Sequence, residues 1–354
     1  MQTINGYLLE SDEWRVSGGS GQCNTGIKGG EKYFIKRLTY PKYPASEHFK
    51  GESKQRKIRM CEEWLANRKK VSGSIPGSGT GNIVKPLDYF RDGACYYEVT
   101  RYVDDAGIPY KEIYKESVDD KLNIMLSVSR SLADIHRKGV VHGDIDPGNI
   151  IITRTAGSRK LTTRLIDFTD AFLEKNPPAS IMSKDFWWSP EVALYSIAAS
   201  EKAEEEEKGD NPYGEYITCK ADVFSLGIVF HQYCARDGKA PNTEKDQPWK
   251  EFQTGKKPRI DSSVDAVFRP LISSMLECEP SKRPSMEEVY QRLSDIKKAR
   301  MHPSSLKAGS SAAGSKVVSV RKHERNPKKA VIRYADGHEQ IMDYRLAEVK
   351  GYVS

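Results

Sequence analysis

Between Trp14 and about Val103, apolar and polar residues alternate in short runs, a pattern that predicts strands with one helix among them. Residues 23–27 and 33–38 read as a hairpin joined by Lys28-Gly29-Gly30, because glycines supply the left-handed conformations of a tight turn. Residues 52–71 change to helical spacing, with Ile58, Cys61, Trp64 and Leu65 gathered on one side. A loop, residues 72–81, ends that helix. Residues 83–90 and 94–99 follow as strands around an Asp92-Gly93 turn.

From Ser117 onward the period turns helical. Leu122, Met125, Val128, Leu132 and Ile135 recur at spacings of three and four and predict one buried face. Residues 140–153 break this pattern with a short polar segment. Further helices are predicted over 222–234, 267–276 and 284–300, the last with Ser285 and Glu288 placed for a capping box. Residues 201–211 form an acidic low-complexity insert that reads as a surface loop. Small polar residues over 301–316 read as a linker. Beyond them, alternation and an Asp336-Gly337 turn predict a β module of three or four strands, too small to be stable without help.

The chain has 354 residues, 38% of them hydrophobic and 30% charged, which suffices for a core and argues against wholesale disorder. No apolar run reaches the roughly 18 residues of a membrane span, and the N-terminus lacks the pattern of a secretion signal. The six cysteines are scattered without a CxxC pair, so neither a structural zinc site nor a disulfide framework is predicted, and a cytoplasmic setting is expected. The net charge of +7 is unevenly placed. Residues 297–354 hold 13 of the 56 Lys/Arg and 5 of the 49 Asp/Glu, a net of +8, and the remaining 296 residues are near neutral at −1.

The strongest chemical signal is VVHGDIDPGNIIIT followed by LIDFTDA. It sets Asp144 and Asn149 five residues apart in a loop after a helix, with Asp167 at the end of an apolar strand. Phosphoryl transfer from a nucleotide needs one carboxylate to orient the acceptor hydroxyl and oxygen ligands for Mg²⁺. Asp144 fits the first role, and Asn149 and Asp167 fit the second.

At these residues the sequence resembles the eukaryotic-like protein kinase family, in an HGD variant of its catalytic loop. The order of landmarks carries the resemblance: YFIKRL, HGDIDPGN, DFT, SPE (Ser189–Glu191), KADVFSLG and EPSKRP. It implies an α+β bilobal fold, with an antiparallel-sheet N-lobe over 1–103 and a mainly helical C-lobe over 104–300. A linker over 301–315 and a small β-barrel-like module over 316–354 follow; that module resembles Tudor or SH3 barrels. The resemblance implies ATP and Mg²⁺ as cofactors. Lys36 becomes the lysine that pairs with the phosphates, and its ion-pair partner is expected on the 52–71 helix. Glu62 is favoured there, with Glu63 and Glu52 open.

Gly18, Gly19 and Gly21 begin a glycine-rich phosphate loop, although Asn24 stands where its third glycine belongs. GSGTG over 77–81 follows a helix and is a decoy. Thr100 aligns with the position at the back of the nucleotide pocket, and Arg101, Tyr102 and Val103 with the backbone that bonds adenine. Asp222 is implied to hold the catalytic-loop backbone, and Arg283 to pair with Glu191. Three departures stand out. Gly143 replaces an arginine, so an activation-loop phosphate has little to pair with. Asp146 replaces the lysine usual in serine/threonine kinases, and Thr169 replaces the DFG glycine.

Three functions compete. A protein kinase that acts on serine or threonine, with tyrosine and autophosphorylation open, is favoured by the SPE, DVFSLG and EPSKRP segments. HGDxxPGN also occurs in aminoglycoside and sugar kinase relatives, which makes a small-molecule kinase the alternative. A pseudokinase is opposed by the presence of Lys36, Asp144, Asn149 and Asp167. Partners are expected to be protein substrates and no membrane. Eleven basic residues against one acidic over 297–333 add an anionic partner, nucleic acid or acidic peptide, against the reading of a merely solvated tail.

Overall fold

The computed structural model describes residues 2–17, 21–44, 51–77, 82–103, 107–154, 161–179, 181, 183–204, 213–301, 317–323, 326–334 and 339–343. Gly18, Gly19, the tip of the 72–81 loop, most of the acidic insert, the linker and the Asp336-Gly337 turn lie outside them. The chain divides into two compact units, residues 1–298 and 299–354.

The first unit opens with an antiparallel sheet of β1 (Thr3–Ile4), β2 (Tyr7–Leu9), β3 (Arg15–Ser17), β4 (Gly21–Lys28), β5 (Glu31–Leu38), β6 (Asp88–Asp92) and β7 (Cys95–Arg101). Its order is β1-β2-β4-β5-β7-β6, with β3 on the side of β4. The β4–β5 hairpin turns at Gly29 and Gly30, at φ 60° and 80°, values that suit glycine far better than residues with a Cβ. The β6–β7 hairpin turns at Gly93, φ 57°. The strand expected from residue 83 begins only at Asp88. Pro86 has no N–H to give a ladder, and Ile83 instead bridges Leu165 in parallel.

Strand alternation divides the sheet's two faces. On β7, Tyr97 and Val99 join Ile4, Tyr7, Leu9 and Ile35 in one cluster, while Tyr96 joins Leu38 and Cys61 on the other face. That second face receives α1 (Gly51–Ser74), whose Trp64 ring lies 5.1 Å from Tyr96 and 6.4 Å, edge-on, from Tyr89.

The rest of the first unit is mainly helical. It comprises α2 (Val118–His136), β8 (Val140–Val141), β9 (Ile150–Arg154), β10 (Leu161–Leu165), β11 (Phe172–Leu173), α3 (Pro190–Glu204), α4 (Lys220–Cys234), α5 (Arg269–Met275) and α6 (Met286–Met301). Strands β8 with β11 and β9 with β10 make two antiparallel pairs. Helix α4 has 14 buried residues and no exposed polar face, so it is a central helix against which α2 and α5 pack. Helix α6 starts at the expected capping box: Ser285 N–H donates to Glu288 Oε2 at 2.6 Å, and Glu288 N–H to Ser285 Oγ at 3.2 Å. The acidic insert does not begin as a loop, because residues 201–204 continue α3. Among the described residues no helix is long and apolar enough to cross a membrane.

The second unit carries an antiparallel three-stranded meander of β12 (Val317–His323), β13 (Asn326–Tyr334) and β14 (Glu339–Asp343).

Candidate active site

Between the sheet and the helical half runs a cleft of about 640 Å³, lined by Asn24, Lys36, Glu98, Thr100, Asn149 and Asp167 among others. Strand β5 delivers Lys36 and β7 delivers Glu98. The two are direct cross-strand partners, so their side chains leave the sheet on the same face. Both are 3% exposed. Thr100, Arg101, Tyr102 and Val103 line the edge of the cleft where β7 ends. Tyr102 N–H already donates to Lys32 O at 3.3 Å.

Lys36 Nζ donates to both oxygens of Asp167, at 2.9 and 2.8 Å, and to Thr169 Oγ1 at 3.1 Å. Burial alone would lower its pKa, but the charges of Asp167 and Glu98 outweigh it and hold the ammonium above its ordinary value. Asp167 has the converse balance. Burial raises it, while Lys36 and the Thr169 hydrogen bonds bring it below the usual carboxylate range. Its backbone is left-handed at φ 60°, a strained conformation for a non-glycine residue and one that tends to mark functional positions.

Asp144 lies between β8 and a short 3-10 turn, Pro147–Asn149. Asn149 Nδ2 donates to Asp144 O at 2.8 Å and Oδ2 at 2.9 Å, which ties Asp144 to the cleft lining. Burial, then the charges of Asp146, Asp170 and Asp167, push the Asp144 carboxyl up to about 7. Buried Asp146 accepts from Gly148 N–H and pairs with Lys184 Nζ, from the segment before Ser189. Lys184 therefore sets an ammonium against Asp146, the residue that stands where serine/threonine kinases usually have lysine.

Asp222 fixes this loop from below. Its Oδ2 accepts from His142 N–H at 2.7 Å, its Oδ1 from Gly143 N–H at 3.0 Å, and His136 Nε2 adds a contact at 2.9 Å. Gly143 has φ 78°, and a Cβ there would stand 2.8 Å from Asp170 O, so neither the backbone nor the space admits a side chain. The glycine in HGD is thereby explained by packing. Further out, Arg283 Nη1 and Nη2 donate to Glu191 Oε1 and Oε2 at 2.7 and 2.8 Å, in a buried bidentate pair.

The structure thus gathers Lys36, Asp167, Asn149, Thr100 and Arg101–Val103 around one cleft, with Asp144 one hydrogen bond away. Gly21 opens β4, where a Cβ would come within 2.6 Å of Arg37 O. Gly18 and Gly19 lie outside the described residues. Asn24 Nδ2 donates to Ser11 O at 2.7 Å and bonds β4 to the segment ahead of β3.

The expected Lys36–Glu62 pair is not formed. Glu62, Glu63 and Glu52 are all exposed, and the buried positions of α1 are Cys61, Arg68 and Val71. One residue turns a helix by about 100°, which carries Glu62 off the stripe that Cys61 occupies.

Sequence reasoning missed Arg68, Glu98 and Tyr89. Arg68 Nη1 donates to Thr169 O at 2.6 Å. Glu98 Oε2 accepts from Tyr89 OH at 2.6 Å and from Thr169 Oγ1 at 3.2 Å, and burial, then Asp167, raises its pKa. A signal existed for Arg68, which continues the stripe two turns after Cys61 and one turn after Trp64. For Glu98 the signal was a charge in phase with Tyr96 and Thr100.

The donors that converge here are carboxylate and amide oxygens, the set preferred by a hard divalent cation. Asn149 spends its Nδ2 on Asp144, which leaves its amide oxygen as the group that could meet a cation. Asp167 supplies the carboxylate.

Comparison with known proteins shows the family. The family model described as the protein kinase domain matches residues 17–293, and the chain belongs to that family. A probable serine/threonine-protein kinase of Clostridium acetobutylicum is 24% identical over 246 residues, 67% of this chain and 34% of that protein. Wee1-like protein kinase 2 of Danio rerio is 25% identical over 177 residues, 48% of this chain and 31% of that protein. The human serine/threonine-protein kinase Kist is 27% identical over 164 residues, 44% of this chain and 36% of that protein. The chain spans about a third of the length of these relatives.

Proposed function

We propose that this chain is an ATP- and Mg²⁺-dependent protein kinase that transfers the γ-phosphoryl group to protein hydroxyls, serine and threonine first, its own included. The observation that carries this reading is the convergence of Lys36, Asp167 and Asn149 on one cleft, with Asp144 hydrogen-bonded to Asn149 at its edge. Names of the relatives favour serine and threonine over tyrosine.

Lys36 holds the α/β-phosphates, and the backbone of Arg101–Val103 takes adenine. The Val103 amide is the better donor there, because that of Tyr102 is already engaged. Asn149 and Asp167 hold Mg²⁺, which when bound offsets negative charge on the phosphates. Asp144 orients the acceptor hydroxyl and takes its proton. A carboxyl with a pKa of about 7 is suited to that task near neutral pH. Gly143 leaves no arginine to read an activation-loop phosphate, so switching on does not run through that contact. The basic segment 297–333 is a docking element for an anionic partner, whose binding should weaken as salt rises.

Mass spectrometry after incubation with Mg·ATP tests the reading. Phosphate is expected on serine or threonine of the chain or of casein. The Asp144→Asn variant should be slower by about 10²–10⁴-fold, the range for losing a general base. Equal signal from wild type and variant, or transfer only to small metabolites, sinks it.

A further inference from the structure

Asp167 is asked to do two things at once. Both its oxygens hold the Lys36 ammonium, yet the proposed function, on which this inference rests, needs at least one of them for a divalent cation. Lys36 is 3% exposed in the wall of the cleft, so beside the phosphates it needs a protein anion to take the place of Asp167. Helix α1 offers none: its three acids, Glu52, Glu62 and Glu63, are exposed, and the charged side chain it buries is the cation Arg68.

A buried anion does stand beside Lys36. Glu98 faces it directly across the β5–β7 ladder, on the same side of the sheet, and lines the same cleft. Among the described contacts the two are not bonded to each other. They are bridged by the Thr169 hydroxyl, 3.1 Å from Lys36 Nζ and 3.2 Å from Glu98 Oε2. That hydroxyl has a single proton, which serves either Asp167, now at 2.7 Å, or Glu98, but not both. Tyr89 OH fixes Glu98 Oε2 from the other side at 2.6 Å.

We propose that Glu98 is the positioning residue that receives Lys36 when Asp167 turns to the metal. The anion for Lys36 then comes from the neighbouring strand β7, and helix α1 contributes the opposite charge. Arg68 grips Thr169 O at 2.6 Å and thereby holds the segment that carries Asp167. Thr169, where the family resemblance has glycine, becomes part of the exchange: its O–H turns from Asp167 to Glu98 as Lys36 moves.

Binding of a non-hydrolysable ATP analogue, with and without Mg²⁺, tests this without reference to turnover. Glu98→Gln keeps the shape and an acceptor for Tyr89 but removes the charge. It should weaken analogue binding with Mg²⁺ by about 10- to 100-fold, the worth of one charge-assisted bond, and less without Mg²⁺. Its melting temperature without nucleotide should not fall, since a buried anion has been removed. Glu98→Asp, which retains the charge, should recover part of the affinity and serves in its place should Glu98→Gln not fold. Loss of binding in Glu62→Gln, with or without loss in Glu98→Gln, overturns the proposal. So does an unaffected Glu98→Gln beside a weakened Lys36→Met. Should Lys36→Met itself bind normally, the nucleotide reading of the cleft fails first.

Discussion

Two buried arginines hold this domain together in opposite ways. Arg283 uses every donor it has: Nε to Glu277 O, Nη1 to Glu191 and Lys220 O, Nη2 to Glu191 and Cys278 O, all within 2.6 to 2.9 Å. Arg68 bonds Thr169 O but leaves its Nε without a partner. Around Arg283 each group has a fixed mate. Around Arg68, one hydroxyl is shared by two carboxylates and one ammonium faces two anions. A fully satisfied network has a single arrangement, whereas a shared one can be rearranged at low cost. The lower region is a frame, and the upper region is where ligand-driven change belongs.

The widest separation between the two is expected from removing each arginine. Arg283→Met strands Glu191 in the interior and should lower stability by about 3–5 kcal/mol, seen as an early urea midpoint. Arg68→Met should cost only about 1–2 kcal/mol in the same titration, the worth of one bond to a buried carbonyl. Equal losses would break the comparison.

Next in size is Gly143→Ala, which tests whether the catalytic loop belongs to the frame. A left-handed backbone and a contact with Asp170 O should together cost about 1–3 kcal/mol in a thermal melt. An unchanged melt would mean the loop yields easily.

The pH dependence of stability sharpens the picture of Asp144. Its folded pKa of about 7 lies above the ordinary 3.8, so the folded state binds the proton more tightly. That contribution is complete below about pH 4 and is lost as pH rises through 7. Asp144→Asn lacks the loss, so its melting temperature in Mg²⁺-free buffer should gain on wild type between pH 5 and 8, by about 2 °C or more. A constant difference would place Asp144 with the unperturbed carboxylates.

The smallest effect is expected from Lys184→Met. Lys184 is largely exposed, so solvent screens it, but it faces Asp146 and its charge reaches Asp144. Its removal should shift the acid limb of the kcat/KM profile upward by about a few tenths of a pH unit. A downward shift would contradict its placement.

Much of this architecture was legible in the residues themselves. The Lys28-Gly29-Gly30 and Asp92-Gly93 turns, the Ser285/Glu288 box and the stripe on α2 are local: each is decided by bonds and periods spanning a few residues, so spacing alone reveals them. The order of HGDIDPGN, DFT, SPE and EPSKRP likewise announced which distant groups meet, because those segments each bring their chemistry in a short recognisable run. Two short strands before Trp14 and helix α3 left no such trace, and Pro86 shortened a strand that alternation alone had extended.

What tertiary structure alone decided is which charge answers which inside the cleft. Spacing put an acid of α1 opposite Lys36. The docking of Trp64 against Tyr89 and Tyr96 set the rotation of the helix, turned Glu62 to solvent and brought Arg68 in. Strand register then set Glu98 across from Lys36, a relation between residues 62 positions apart that no local pattern encodes. Electrostatic partnership depends on distance in space and on shelter from water. The sequence names the charges, and only the packed fold supplies both of those.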